Sequence, residues 1–262
     1  MDVDGTLVDR RGEIFPGAFE LVSTAESLGL TTALCSARST VGLLPVARAL
    51  LNVRWLSALG GAKLVRIERE FSGAHLTDVA QTAIDPETCV TLMTLFADAG
   101  LQTWAFTSDA WFVSSVSERV RYEVRTNDSV FTLAPLPSFP SDGILKYVIP
   151  QADLSAYRAL YKDSQELGVS VAFSTKHQLE IVSLSVADKG VSALKAFLGQ
   201  LDTACIAVGD GMNDIPMLRA ASLGYTFMDS PRALKAVANS VLPSDRTMAL
   251  SVVRDSLRAL TS

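Results

Sequence analysis

Asp2-Val3-Asp4-Gly5-Thr6-Leu7 stands at the head of the chain. Two carboxylates lie two residues apart, and Gly-Thr follows at once. Along a strand the side chains at i and i+2 point the same way. Asp2 and Asp4 can therefore face one reaction centre, as a nucleophile and an acid/base. Gly5 lets the backbone turn sharply beneath them. The plain alternative is a surface Asp-Gly turn after a short strand.

A second carboxylate pair lies far along the chain, in Gly209-Asp210-Gly211-Met212-Asn213-Asp214. The apolar run Ala204–Val208 before it reads as a buried parallel strand. Ile215–Ala221 after it reads as a short helix with Pro216 near its first turn. Asp210 and Asp214 thus sit on a strand-to-helix loop, where carboxylate and amide oxygens suit a hard cation such as Mg²⁺. Helix capping by Asn213 or Asp214 is the competing explanation.

Two weaker signals fall between these. Thr31–Leu34 is β-prone and runs into Cys35-Ser36-Ala37-Arg38-Ser39. A hydroxyl at a strand end can bind a phosphoryl oxygen, or Ser36 can cap the next helix. Asp188-Lys189-Gly190 precedes the amphipathic run Val191–Leu198. A lone Lys before a helix is ordinarily a solvated charge, and only its place in the order singles it out.

That order resembles the haloacid dehalogenase-like hydrolase superfamily: Asp-x-Asp-Gly-Thr-Leu, Ser at a strand end, Lys-Gly, then Gly-Asp-Gly-x-Asn-Asp. Gly209 to Leu218 is similar to the Cof-like phosphatases, which carry a large α/β cap between the second and third motifs. The resemblance runs from Asp2 to about Ser240. It implies an α/β fold: a Rossmann-like parallel sheet with helices on both faces, plus an inserted α+β cap. It also implies a phosphatase using Mg²⁺ on a small phosphorylated metabolite. Asp2 would attack phosphorus, giving an aspartyl phosphate, and Asp4 would act as acid and then base. Mg²⁺ would rest on the Asp2 carboxylate, the Asp4 carbonyl and Asp210, with Asp214 ordering the metal shell. Ser36 and Lys189, with Gly5 and Thr6, would hold the phosphoryl group, and Arg38 and Asn213 would touch the substrate. All four loops are expected at the C-terminal ends of parallel strands, where open α/β sheets bind ligands.

Composition agrees. The chain has 262 residues, 48% hydrophobic and 19% charged, enough for one large core or two smaller ones. A net charge of −5 argues against a nucleic-acid partner. No run reaches the roughly 18 apolar residues of a membrane span, and the start carries no secretory pattern. Three scattered cysteines, Cys35, Cys89 and Cys205, read as reduced thiols of a cytoplasmic protein.

Periodicity and glycine stops predict a helix over 16–28, a helix near 41–51 and a strand over 55–59, a β-α-β pattern with a parallel sheet. A separate unit is expected over 78–183. Its helices lie at 86–99 and 154–167, its strands at 101–107, 111–114 and 144–149, and its hairpin at 169–182, turning on Thr175-Lys176-His177. The core then comprises 1–77 and 184–262.

Several positions depart from the family's pattern. Ser36-Ala37-Arg38 replaces Thr-Gly-Arg or Ser-Gly-Arg. Gly60-Gly61-Ala62 stands where relatives carry Asn-Gly-Ala. Ser244-Asp245-Arg246 stands where Asp-Gly-Val is usual. Only Met1 precedes Asp2, so the natural chain is expected to extend upstream by roughly five or more apolar residues, completing a strand. Phosphomutase or phosphotransferase chemistry would use the same Asp pair. It would need a basic patch in the cap, for which Lys146, Lys162, Lys176 and His177 are the candidates. A non-catalytic metabolite-binding protein on this fold is the remaining class.

Overall fold

A computed structural model of the chain describes residues 1–70, 73–127, 129–175, 177–200 and 202–261. In chain order they form α1 (Pro16–Ser27), β1 (Ala33–Cys35), α2 (Thr40–Ala49), β2 (Trp55–Ala58), β3 (Lys63–Glu70), β4 (Gly73–Gln81) and α3 (Pro86–Asp98). Next come β5 (Trp104–Phe106), β6 (Trp111–Val113), α4 (Glu118–Asn127), β7 (Thr132–Leu133), β8 (Lys146–Ile149), α5 (Leu154–Asp163), β9 (Val169–Thr175) and β10 (Gln178–Ser183). The last part holds α6 (Val191–Phe197), β11 (Ile206–Val208), α7 (Ile215–Ala220), β12 (Leu223–Phe227), α8 (Arg232–Lys235), β13 (Ser240–Leu242) and α9 (Arg246–Thr261). Contacts divide these residues into two compact units, 1–79 with 188–262, and 80–187.

The first unit contains two sheets, β1-β2-β3-β4 and β11-β12-β13. Met1 and Asp2 form the seam between them. The Met1 amine donates to the Ala33 carbonyl at 2.8 Å, and Cys35 N–H donates to the Met1 carbonyl at 2.8 Å. On the other side, Asp2 N–H donates to the Val208 carbonyl at 2.9 Å. The first two residues are thus hydrogen-bonded to β1 and to β11 at once, which puts Asp2 at the middle of the layer.

Alternation along the strands directs side chains to two covered faces. Leu34, Val208 and Phe227 join Leu21, Val22, Leu43, Leu250 and Val253 in one core, under α1, α2 and α9. Cys35 and Ala207 face the other way, against Met217, Leu218 and Leu234 of α7 and α8. Each fully buried Leu or Phe contributes about 1.5–3 kcal/mol. Burying both faces is what holds strands this short.

β1–β2 and β11–β12–β13 are parallel, as the β-α-β pattern requires. Beyond the parallel pairs, the strand β3, which the sequence reading did not include, runs antiparallel to β2 with Arg66 opposite Trp55. Only the short turn Leu59–Ala62 separates β2 from β3, too little for a helical crossover.

The second unit is a six-stranded sheet, β7-β6-β5-β8-β10-β9, antiparallel except at β6–β7. Phe96 and Leu92 of α3 and Leu160 of α5 pack on Tyr147, Leu179 and Ile181 of one face. Trp104, Trp111, Val113 and Val148 on the other face pack against Val120 of α4. This is an α+β unit inserted into an α/β fold. Of the basic candidates here, Lys146 is buried and paired with Glu180 at 3.0 Å. Lys162 and His177 are exposed, and Lys176 lies outside the described residues. Among the described residues, no helix is long and apolar enough to cross a membrane, and all three cysteines are free.

Candidate active site

The nucleophile loop is built on buried apolar residues. Val3, Leu7 and Val8 are each fully buried. The Val3 carbonyl accepts from the N–H groups of Thr6, Leu7 and Val8 at 3.2, 2.9 and 2.9 Å. This tight turn forces Gly5 to φ +77, a conformation that favours glycine. A Cβ at Gly5 would overlap the Asp210 carboxylate. The two motifs that open and close the sequence pattern therefore touch at Gly5.

Asp2 is 6% exposed and Asp214 is fully buried. The Lys189 ammonium lies between them, 2.7 Å from Asp2 Oδ1 and 2.5 Å from Asp214 Oδ1. Asp214 Oδ2 accepts from the N–H groups of Asp210 and Gly211 at 3.0 and 2.8 Å. Asp210 Oδ1 accepts from the Thr6 hydroxyl at 3.0 Å. Oxygens of Asp2, Asp210 and Asp214 all lie within 4.8 Å of one another. Asp214 does cap the turn Met212–Asp214 through Oδ2 on the Gly211 N–H, but capping leaves its other oxygen, bonded to Lys189, unaccounted for.

Three carboxylates and one ammonium leave two negative charges uncompensated. Burial, and then the charge of Asp214, raise the Asp2 pKa well above the usual carboxylate range despite Lys189. Burial and Asp214 push Asp210 up to about 6, against the Thr6 hydrogen bond and the Arg246 charge. Burial would lower the Lys189 pKa, but Asp2 and Asp214 outweigh it and keep the ammonium charged. An all-oxygen donor set with this charge deficit suits one hard divalent cation.

Lys189 is 2% exposed, not a solvated charge. Nor does it follow a strand of the first unit, as expected; the chain reaches it from the second unit through the short turn Leu184–Val186. Lys189 and Gly190 both have left-handed backbone, φ 54 and 74, just before α6. Ser57, fully buried on β2, donates to the Lys189 carbonyl at 2.6 Å. A Cβ at Gly190 would overlap the Ser57 hydroxyl. Ser57 thus anchors the lysine, and no motif in the sequence marked it.

Ser36 is buried where β1 ends. It does not cap α2, because Ser39 does, accepting from Gly42 N–H at 3.3 Å. Ser36 Oγ accepts from Arg38 N–H at 3.2 Å. Arg38 closes on Asp4, with Nε to Oδ2 at 2.8 Å and Nη2 to Oδ1 at 2.6 Å. The Asp4 side chain is 58% exposed, outside the buried carboxylate cluster. Asn213 is half-buried on the turn Met212–Asp214. Arg246, which the sequence marks only as a departure from the family's pattern, donates from Nε to the Gly5 carbonyl at 2.6 Å.

A family model described as haloacid dehalogenase-like hydrolase matches residues 1–252. The chain belongs to this family. It is an enzyme, a haloacid dehalogenase-like hydrolase. A Haemophilus influenzae protein named putative phosphatase is 23% identical over 264 residues, covering 96% of this chain and 94% of that protein. The pyridoxal phosphate phosphatase YbhA of Escherichia coli is 23% identical over 268 residues, covering 94% and 93%. Among solved structures, a haloacid dehalogenase-like hydrolase from B. subtilis superposes with a TM-score of 0.81 at 16% identity, over 97% of each chain. A sugar phosphatase of haloacid dehalogenase subclass IIB superposes with a TM-score of 0.79 at 16% identity, over 98% of this chain and 97% of that one. These superpositions share the hydrolase fold, inserted unit included.

Proposed function

We propose that this hydrolase is a Mg²⁺-dependent phosphatase of small phosphate monoesters, acting through an aspartyl phosphate on Asp2. The observation that carries the reading is the buried cluster in which Lys189 bridges Asp2 and Asp214 beside Asp210. The names of the relatives, a putative phosphatase and a pyridoxal phosphate phosphatase, support the reaction class.

Lys189 occupies Asp2 Oδ1, which leaves Oδ2 to attack. Oδ2 forms a bond to phosphorus while the bond from phosphorus to the ester oxygen breaks. Asp4 hands its proton to the departing alcohol. Asp4 then takes a proton from water as the water attacks the same phosphorus, releasing phosphate and restoring Asp2. Lys189 opposes the rise of the Asp2 pKa and orients its carboxyl group. Ser36 and Lys189, with Gly5 and Thr6, are assigned to the phosphoryl oxygens, and Arg38 and Asn213 to the substrate.

The cation would be held by Asp210, which has a free oxygen, by the Asp4 carbonyl and by the Asp2 oxygen that does not attack; Asp214, bonded on both oxygens, would shape the shell around it. When bound, Mg²⁺ would offset the repulsion between a phosphate dianion and a carboxylate nucleophile. Choice among monoesters is assigned to the inserted residues 78–183 acting as a cap. The phosphomutase alternative loses support at Lys146, whose charge Glu180 already satisfies.

Hydrolysis of p-nitrophenyl phosphate with Mg²⁺, and its loss in excess chelator, tests the reading. Full activity without divalent cation, or no phosphatase activity in metal-loaded protein, would overturn it.

A further inference from the structure

Arg246 opens α9, 241 positions from Gly5, within the segment Ser244-Asp245-Arg246 that departs from the family's pattern. Its side chain is 10% exposed. Nη1 donates to Asp229 Oδ1 at 2.9 Å and to the Ser244 carbonyl at 2.7 Å, and Nη2 to Asp229 Oδ2 at 3.2 Å. The guanidinium lies 3.7 Å from the centroid of the buried Phe227 ring. A fork so completely gripped has lost its freedom before it meets anything else. Its Nε donates to the Gly5 carbonyl at 2.6 Å.

The Gly5 peptide is a sensitive place to hold. Asp4 precedes it, and Thr6, whose hydroxyl bonds Asp210, follows it. Its Cα leaves no room for a Cβ against Asp210. Rotation of this peptide would disturb Asp4 on one side and, on the other, the Thr6 hydroxyl that bonds Asp210. The Asp229 pair and the Phe227 stack already hold the start of α9, and the bond to Gly5 carries that hold into the nucleophile loop.

We infer that Arg246 is a positioning residue for the nucleophile loop: through the Gly5 carbonyl it fixes the Gly5–Thr6 peptide, one residue beyond Asp4. The kinetic part of this inference rests on the phosphatase reading, and the amide-exchange part does not. Displacement of a reacting group by about 1 Å costs about 10²-fold in rate. Arg246→Met should therefore lower kcat about 10- to 100-fold, with KM little changed. Arg246→Lys, which keeps a charged donor without the fork, should recover part of that loss.

Hydrogen exchange of the unliganded protein gives the readout independent of activity. In Arg246→Met, the amides of residues 5–8 should exchange faster, while those of β12 and α9 keep their protection. Should Arg246→Met fail to fold, Arg246→Lys and Asp229→Asn decide by the same measurement, each with a smaller, local loss of protection at 5–8. Unchanged protection at residues 5–8, or an equal loss across α9 and β12, would overturn the inference and leave Arg246 a helix anchor. Selective loop exposure in a protein with no phosphatase activity would uphold the positioning role while refuting the phosphatase reading.

Discussion

Arg38 holds both oxygens of Asp4, at 2.8 and 2.6 Å, so the proposed acid/base is engaged before any substrate arrives. Arg38 is itself steadied by donating from Nη1 to the Gly42 carbonyl at 3.1 Å. In the proposed reaction Asp4 must exchange at least one of these bonds for the ester oxygen. Arg38→Gln should leave Asp4 unplaced, and the cost should depend on the leaving group. An alkyl phosphate, whose alcohol needs a proton, should lose about 10²-fold or more in kcat/KM. p-Nitrophenyl phosphate, whose leaving group needs little help, should lose much less. Equal losses on the two substrates would mean that Arg38 acts only on the bound substrate and not also through Asp4.

Asp210 and Asp214 should fail differently. Asp210→Ala removes a charged ligand with a free oxygen, so Mg²⁺ affinity should fall steeply while the fold stays intact. Asp214→Ala strips Lys189 of one carboxylate and leaves two backbone N–H groups unpaired. Breaking such a buried pair typically costs about 3–5 kcal/mol, so Asp214→Ala should be the less stable variant. Its Mg²⁺ response should persist, weakened about 10- to 100-fold. Calorimetric Mg²⁺ titration alongside thermal melts separates the two, and the reverse ranking would exchange their roles.

The effect of pH follows from the raised Asp2 and Asp210 pKa values, with Asp210 near 6. A raised carboxyl pKa means that the folded protein binds the proton more tightly than the unfolded chain. The stability penalty is therefore absent below the ordinary carboxylate range, and for Asp210 it is fully developed above about pH 6. The metal-free protein should gain stability as pH falls from 7 towards 5. Mg²⁺ needs the ionised forms, so its effect should run the other way. At pH 7.5, Mg²⁺ at about 100 times its Kd should add about 2.7 kcal/mol, which is about 5–10 °C in Tm for a chain of this size. That shift should vanish near pH 5. A shift independent of pH would place the cation elsewhere.

Much of the fold could be read where glycine, proline and apolar spacing coincide. The helix expected over 16–28 is Pro16–Ser27, set by Pro at its start and Gly29 after it. β3 went unread because Lys63, Arg66 and Glu68 interrupt its apolar residues, and it pairs by a turn with no Asn-Gly or Asp-Gly signal. α4 buries only a narrow stripe, Val120 and Val124, among charged residues. α9 carried the helical spacing Ala249, Leu250, Val253, Leu257 and the Asp245 bond to Met248 N–H, so its signal was present but unused.

The site divides the same way. Asp2, Lys189, Asp210 and Asp214 converge because each lies in a short motif with a fixed spacing to a turn. Ser57 and Arg246 act on the backbone carbonyls of Lys189 and Gly5, from a strand interior and a helix start. Such contacts leave no local pattern, since any hydroxyl or guanidinium in those places would look structural.

The proposed covalent role of Asp2 is most directly tested by trapping it. Metal-loaded enzyme mixed with excess monoester, quenched within one turnover and treated with borohydride, should contain homoserine at position 2. Neither Asp2→Asn nor chelated wild-type protein should form it. Steady turnover with position 2 unmodified, or with the label on another carboxylate, would contradict an aspartyl phosphate on Asp2.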